Sequence, residues 1–369
     1  MIPNRLTKHA TIAISSFLVC TGCVERDETI TIGVDGAVTI ELEYEGSQEE
    51  MSQGDAMPSA VSGWDVTRTT KKDGDDVNDV LTSSRRFAPG EELPWTFAAV
   101  DDPDADLYLD FPTTVRIEHR ADGIYYYFHR AYAPRRWADI QRWEDFFFDN
   151  GLKKLSEKPV EELTVEERVK IVEAFAGMEA IKQLQFCKTA IAESHPDLPV
   201  EYGLMARRAL IDFYTRLSEK GDGSLERLNE RCGALPEDQQ GECFDEEVEQ
   251  ILGEAYDTYI QSLREEAGLP PSDIAAFELA YERAERYRKI TEQLGGHNFE
   301  IRVEMPGTII AHNAIDDNVD VDEDDNTSTV GFAFDGKSFR DNSHELIAVS
   351  RLDHKAAREM RNRPDDTDR

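Results

Sequence analysis

Cationic residues are scarce in this chain. Its 369 residues hold 41 Lys and Arg against 76 Asp and Glu, a formal net charge of −35. Phosphate recognition needs clustered Lys and Arg, so the imbalance argues against nucleic acid as a partner. It argues equally against electrostatic docking on anionic lipid. Long apolar runs are missing too: past residue 23 nothing approaches the roughly 18 apolar residues that a spanning helix needs. The eight histidines show no HExxH or other zinc-like spacing, and there is no Gly-x-Ser-x-Gly elbow, Walker loop or dinucleotide fingerprint. Paired carboxylates carry no message, because 76 acidic residues guarantee accidental pairs. Hydrophobic residues make up 40% of the chain, enough to build real cores.

What is there begins at the N-terminus. Arg5 and Lys8 precede an apolar stretch from Ala10 to Val19, followed by Cys20-Thr21-Gly22-Cys23. A charged start, a short apolar core and small residues before a cut site make a secretory signal peptide. The Gly22-Cys23 step resembles the lipobox of bacterial lipoproteins, with Cys20 standing where a Leu is usual. The resemblance implies a diacylated Cys23 at the head of the mature chain. One acyl chain anchors marginally and two anchor stably. The expected protein is therefore held to a bacterial membrane by Cys23, with a soluble, extracytoplasmic body. Val24 in place of Asp after the cysteine resembles the outer-membrane sorting pattern of Gram-negative lipoproteins, which implies an outer-membrane location facing the periplasm if the cell is Gram-negative.

Of the remaining cysteines, Cys232 and Cys243 are close in sequence. An oxidising compartment makes them the expected disulfide, stapling a helix–helix turn. Cys187 lies in a helical pattern and reads as a buried thiol.

Two stretches read as strands. In the first, Thr29–Ile32 and Val38–Leu42 alternate with period two. A three-residue loop, Val34-Asp35-Gly36, pairs Ile32 with Val38 and Ile30 with Ile40. Trp64–Thr70 and Val80–Phe87 form a second candidate pair. Thr114–Ala121 and Ile124–Tyr132 flank Asp122-Gly123, read as a two-residue turn that sets Ile117 opposite Phe128 and His119 opposite Tyr126. Val115, Ile117, Tyr126 and Phe128 then line one buried face. The second stretch starts at Phe299: Phe299, Ile301, Val303 and Met305 alternate, as do Val330, Phe332 and Phe334, and Leu346–Ser350 closes it.

Between them the period is helical. Thr164-Val165-Glu166-Glu167 has the capping-box pattern. Further helices are expected over about 201–220, 244–267 and from Ser272 to Gly295-Gly296, the last with Ile274, Phe277, Tyr281 and Ala284 on one face. The fold class expected is α+β: an antiparallel β domain formed by N- and C-terminal segments with an inserted all-α helical bundle. The corresponding boundaries are a signal peptide over 1–22, a β domain over 23–134 and 297–352, helices over 135–296, and a charged, disordered tail over 353–369. Residues 47–63 read as a mobile loop.

The run Met305-Pro306-Gly307-Thr308-Ile309-Ile310-Ala311-His312-Asn313, then Thr329–Phe334 and Leu346–Ser350, resembles the later strands of LppM-like bacterial lipoproteins. The resemblance implies a β-rich envelope domain without known catalytic residues. The helical block has no counterpart in that pattern, so a separate role falls to it.

Three further groups of residues invite chemistry. Asp316, Asn318, Asp320, Asp322 and Asp324 alternate like calcium ligands. An EF-hand is excluded, because Val321 replaces the turn glycine and Thr327 the bidentate Glu; a looser Ca2+ site or a solvated acidic loop are the alternatives, and no other cofactor is expected. Trp137, Trp143 and Phe147, in a segment with Phe146 and Phe148, either pack at the β/α junction or form a partner surface. Tyr126, Phe332 and Phe334 would wall a cavity if the β domain binds lipid.

The function expected is thus a non-enzymatic, membrane-tethered lipoprotein that binds another envelope protein. A lipid- or glycolipid-binding module is the alternative, and a hydrolase of envelope polymers the least favoured reading.

Overall fold

The computed structural model describes residues 24–73, 76–99, 101–136, 164–197, 268–315, 319–322 and 326–361, with single positions between 152 and 265. The fold is α+β, with two sheets that are antiparallel in every pairing but one. The N-terminal strands are β1 (Glu25–Ile32), β2 (Val38–Gly46), β3 (Asp65–Asp73), β4 (Asp76–Phe87), β5 (Thr113–Arg120) and β6 (Gly123–Tyr132). Later in the chain come β7 (Asn298–Pro306), β8 (Thr308–His312), β9 (Val319–Asp322), β10 (Thr327–Asp335) and β11 (His344–Leu352). The seven-stranded sheet runs β3-β4-β2-β1-β7-β10-β9, and the four-stranded sheet runs β5-β6-β11-β8. The exceptional pairing is β1 with β7, side by side and parallel, Ile30 opposite Val303.

By their internal contacts, Thr21–Arg136 and Tyr287–Arg369 form one compact unit, and Trp137–Arg286 belong to another. The first unit is built on period two. Its two sheets share one core, in which Ile30, Ile40, Tyr126, Phe128, Ile301, Val303 and Val330 are all nearly inaccessible. The alternation of Phe299, Ile301, Val303 and Met305 appears as four buried side chains on one face of β7.

The first hairpin has the register its apolar pattern demands. Ile30 faces Ile40 and Ile32 faces Val38. Gly33 N–H donates to Ala37 O at 2.7 Å, and Gly36 takes φ +89°. A shorter loop would have put apolar residues on the wrong face. β3 and β4 pair as expected and extend to Asp73 opposite Asp76.

The β5–β6 hairpin departs from its expected register by two residues. Arg120 pairs with Gly123, so the turn is Ala121-Asp122; Ile117 faces Tyr126 and His119 faces Ile124. A slip of two keeps every side chain on its face, so Val115, Ile117, Tyr126 and Phe128 still share one side. The cause lies on β11: Gly123, at φ +150°, is pressed against the strand end, and a Cβ there would stand 2.8 Å from Leu352 O. The glycine is needed for close approach within the sheet rather than for the turn.

Two segments expected to be irregular are helical. Residues 48–53 form α1 (Gln48–Gln53), because Ser47 and Glu50 make a reciprocal capping box. In the expected disordered tail, α4 (His354–Arg361) forms. Asp353 Oδ1 accepts from Lys355 N–H at 2.7 Å, and Ala357 and Met360 pack on the core. Residues 362–369 lie outside the described residues.

In the second unit, α2 (Val165–Ser194) starts at the expected box: Thr164 accepts from Glu167 N–H and Glu167 reaches back to Thr164. The helix α3 (Pro271–Leu294) buries Ile274, Phe277 and Tyr281 against Phe186, Cys187, Ala190, Ile260 and Leu263. Cys187 is a free, buried thiol as expected. The helices expected over 201–220 and 244–267 fall outside the described residues or on isolated positions among them. Among the described residues no helix is long and apolar enough to cross a membrane.

The Gly123 contact can be separated from backbone strain. Gly90 also has a positive φ, +79°, but an added Cβ would meet nothing. Gly90→Ala should therefore cost only the left-handed strain, about 1–2 kcal/mol. Gly123→Ala should cost at least about 3 kcal/mol, because overpacking against a backbone carbonyl adds to it. Urea unfolding of both variants checks this, and equal losses would contradict the close-approach account.

Candidate functional site

Most residues singled out by the sequence are not where the described chemistry lies. Cys23, Cys232, Trp137, Trp143, Phe147, Asp316, Asn318 and Asp324 lie outside the described residues. Asp320 and Asp322 stand on the edge strand β9, opposite Thr329 and Thr327. The stretch expected to be a loop is thus partly a strand, because Val319 pairs with Val330 and packs on the core. Among the described residues no three His, Cys, Asp or Glu side chains gather as metal ligands would. Tyr126 and Phe332 are buried in the core rather than exposed as a wall. Phe334 stacks on Phe299 at 5.0 Å, and the Tyr126 hydroxyl donates to Val34 O at 3.0 Å.

The chemically distinctive feature is a charge cluster inside the β unit. The phase that buries Ile30 and Ile32 also turns Arg26 and Glu28 inward, and the phase that buries Tyr126 and Phe128 turns Arg130 and Tyr132 inward. All four are essentially inaccessible. Glu28 Oε2 accepts from Arg130 Nη1 at 2.8 Å and from Arg26 Nη2 at 3.3 Å. Arg130 Nε donates to Thr113 Oγ1 at 2.7 Å. One carboxylate on the seven-stranded sheet thereby holds an arginine of the four-stranded sheet.

The Arg26 guanidinium lies among four rings, Tyr44, Phe97, Phe111 and Phe299, with centroids 5.0–5.4 Å from its Cζ. Asp55, which follows α1, is 4.0 Å from Arg26 Nη1 and accepts from Leu109 N–H at 2.8 Å. Arg135 stacks over Tyr287 and donates to Leu107 O.

The electrostatics follow from burial and pairing. Burial pushes the Glu28 carboxyl up, but Arg130 and then Arg26 outweigh it and hold it below the usual range. Burial dominates at Asp55 and raises its pKa despite Leu109 N–H and Arg26. Burial, with Arg26 adding to it, brings His297 down to about 4. The cluster is a buried set of opposite charges without a nucleophile, in which Arg26 Nε, Glu28 Oε1 and Arg130 Nη2 keep no hydrogen-bond partner among the described residues, and its capacity is to bind two sheets together in one register. The signal for it was in the sequence: extending the inward phase of β1 two residues back from Ile30 reaches Glu28, and two more reach Arg26.

Three other arrangements bear on chemistry. At the end of α2, Ser194 Oγ is 2.7 Å from His195 Nδ1, and His195 Nε2 is 3.7 Å from Asp273 Oδ2. The Ser194 hydroxyl donates its one hydrogen to Ala190 O at 2.6 Å. Nδ1–H must then donate to Ser194, so the imidazole is no base toward it and the group caps a helix end. On the outer face of the four-stranded sheet, Arg116 and Arg120 lie over Tyr127 and Tyr125, with Glu118 between them. A pocket of about 260 Å3 is lined by Met51 of α1 together with Arg68, Asp79, Val80 and Leu81.

Two measurements test the cluster. Glu28→Gln leaves two buried guanidinium groups without their carboxylate, and should lower stability by about 3–5 kcal/mol. Replacing Arg26, Glu28 and Arg130 together with Met, Leu and Met should recover most of it in urea titrations; a Glu28→Gln loss below about 1 kcal/mol would place the hold elsewhere. His297 gives the pH dependence. The unfolded chain takes up a proton at this residue near pH 6.5 and the folded chain only near 4, so stability present above 6.5 is lost as pH falls through this window. The loss should reach about 3 kcal/mol by pH 4, and His297→Phe should remove that slope. An unchanged slope in the variant would assign it to other groups.

Compared with protein-family models, with curated proteins and with solved structures, the chain matches none.

Proposed function

We propose that this chain is a bacterial envelope lipoprotein, tethered to a membrane by acyl groups on Cys23, which acts by binding another envelope protein rather than by catalysis. In this reading the β unit is one domain built from both ends of the chain, and an all-α bundle is inserted between Tyr132 and Asn298. The Cys232–Cys243 disulfide staples that bundle, and Trp137, Trp143 and Phe147 belong to its partner surface.

The observation that supports the tether is the burial of the residue that follows the lipobox cysteine. Val24, the residue after the lipobox cysteine, is 1% exposed, and β1 starts at Glu25. A cut before Cys23 removes the signal region up to the rim of the folded unit. The acylated residue then joins the domain without a linker. The protein-binding reading is favoured over a lipid carrier by the packing of Tyr126, Phe332 and Phe334 against one another's neighbours in the core. Binding by a lipid-filled barrel would need those rings to face a ligand instead.

Metabolic labelling with an alkyne fatty acid, followed by fractionation, tests the tether. The wild-type chain should take up label and sediment with membranes. Cys23→Ser should lose the label and move to the aqueous fraction. A Cys23→Ser chain that still sediments with membranes would overturn the acyl anchor.

A further inference from the structure

The two sheets end in four edge strands, β3, β9, β5 and β8. Native edges are usually blunted by charge, which discourages pairing with another chain. Three of these follow the rule. β3 carries Arg68, Lys71 and Lys72, β9 carries Asp320 and Asp322, and β5 carries Arg116, Glu118 and Arg120. β8 reads Thr308-Ile309-Ile310-Ala311-His312, without an Asp, Glu, Lys or Arg.

Among the described residues no strand pairs with β8 on the side away from β11. Thr308, Ile310 and Ala311 are exposed, Ile310 at 51%. Ile315, just beyond the strand, is 78% exposed, and Ile347 on the neighbouring β11 is 36% exposed. The inner side of β8 is fixed: it pairs with β11 across a bulge at Val349/Ser350. At its end, Asn313 Oδ1 accepts from Ile347 N–H at 2.7 Å while Asn313 Nδ2 donates to Glu345 O at 2.8 Å. The strand is therefore held in register by β11, with Ile310 exposed and, among the described residues, no strand paired on its other side, the arrangement used for strand addition.

Charge selects the occupant. The 13 residues that follow β8, 313–325, contain seven carboxylates and no Lys or Arg, in a chain of net charge −35. A second copy of the chain would bring the same charge against itself. We propose that β8 receives an extended segment of a partner protein that adds as a fifth strand to the four-stranded sheet. The segment places apolar side chains beside Ile310 and carries Lys or Arg at alternate positions. This deepens the reading of the chain as a protein-binding module and does not depend on the acyl anchor, which Cys23→Ser tests separately.

The probe is a nine-residue peptide alternating lysine and valine, added to the full chain in mild detergent and followed by amide hydrogen exchange. A glutamate–valine peptide serves as the charge control. The lysine peptide should slow exchange within Thr308–His312 and leave β3, β5 and β9 unchanged. Ile310→Lys, at an exposed position, should weaken binding by about tenfold, while Val61→Lys, at a 95% exposed site away from β8, should leave it unaltered. Raising the salt should weaken it further. Four results would overturn the proposal: protection at another edge, no protection at all, equal protection by the glutamate peptide, or concentration-dependent dimerisation of the chain abolished by Ile310→Lys.

Discussion

Glu28 stands between two guanidinium groups in the buried core, and the architecture of the β unit answers to that fact. A buried carboxylate or a buried arginine alone would cost several kcal/mol. Here each is tolerable only because Arg26, Glu28 and Arg130 are held at hydrogen-bonding distance and four rings face Arg26. The pairing joins residues 102 positions apart and belongs to both sheets. It also fixes the register of β1. A slip of one residue would turn Glu25, Asp27 and Thr29 inward and send Arg26 and Glu28 to solvent. The apolar half of the same strand, Ile30 and Ile32, would be lost with them. Charge and hydrophobic pattern thus specify one phase of β1 from its two ends, and β2 and β7 pair to the strand that results.

What could be read in the sequence was local. Ile30 and Ile40 are ten residues apart, and their alternation with Ile32 and Val38 was sufficient to choose the loop between them. The box at Thr164 was found because a helical apolar pattern follows it. The same box at Ser47 and Glu50 is not legible in the sequence, because Gln48–Gln53 offers a single apolar residue, Met51, and so has no helical period. The β5–β6 turn was misplaced because Asp122-Gly123 is the dipeptide that two-residue turns favour, whereas Leu352 O, over 200 residues away, is what requires the glycine. The charge of the tail predicts a frayed end. His354–Arg361 is helical because Ala357 and Met360 find a place on a core that the tail's own composition does not reveal.

The cluster was hidden for a related reason. Arg26, Glu28 and Arg130 are polar residues at inward positions, which a reading by hydrophobicity discounts, and each is tolerable only in the presence of the other two. Their agreement appears only when β1 and β6 are known to face each other. The residues that sequence did single out are a different kind of signal: Cys23, Cys232 and the aromatic segment around Trp143 were chosen for what their chemistry is, without reference to a neighbour. Local chemistry names candidates, while pairing across the fold decides which polar residues are interior structure. The β8 edge joins the two. Its lack of charge is plain in the sequence, but it carries meaning only once β5, β9 and β3 are known to be the other edges.

The position of β1 gives the proposed tether a mechanical consequence. β1 is the fourth of seven strands, with β2 on one side and β7 on the other. An acyl group on Cys23 would therefore transmit any pull on the protein into a central strand instead of an edge. Moving β1 along its axis breaks the ladders to β2 and β7 together, and draws Glu28 away from Arg130 in the opposite sheet. A tether on an edge strand such as β3 or β8 would instead peel one ladder, bond by bond. In the proposed reading the load would enter the seven-stranded sheet through β1, whereas a strand added at β8 would extend the four-stranded sheet. The proposed anchor and the proposed partner edge would then act on different sheets of the same β unit.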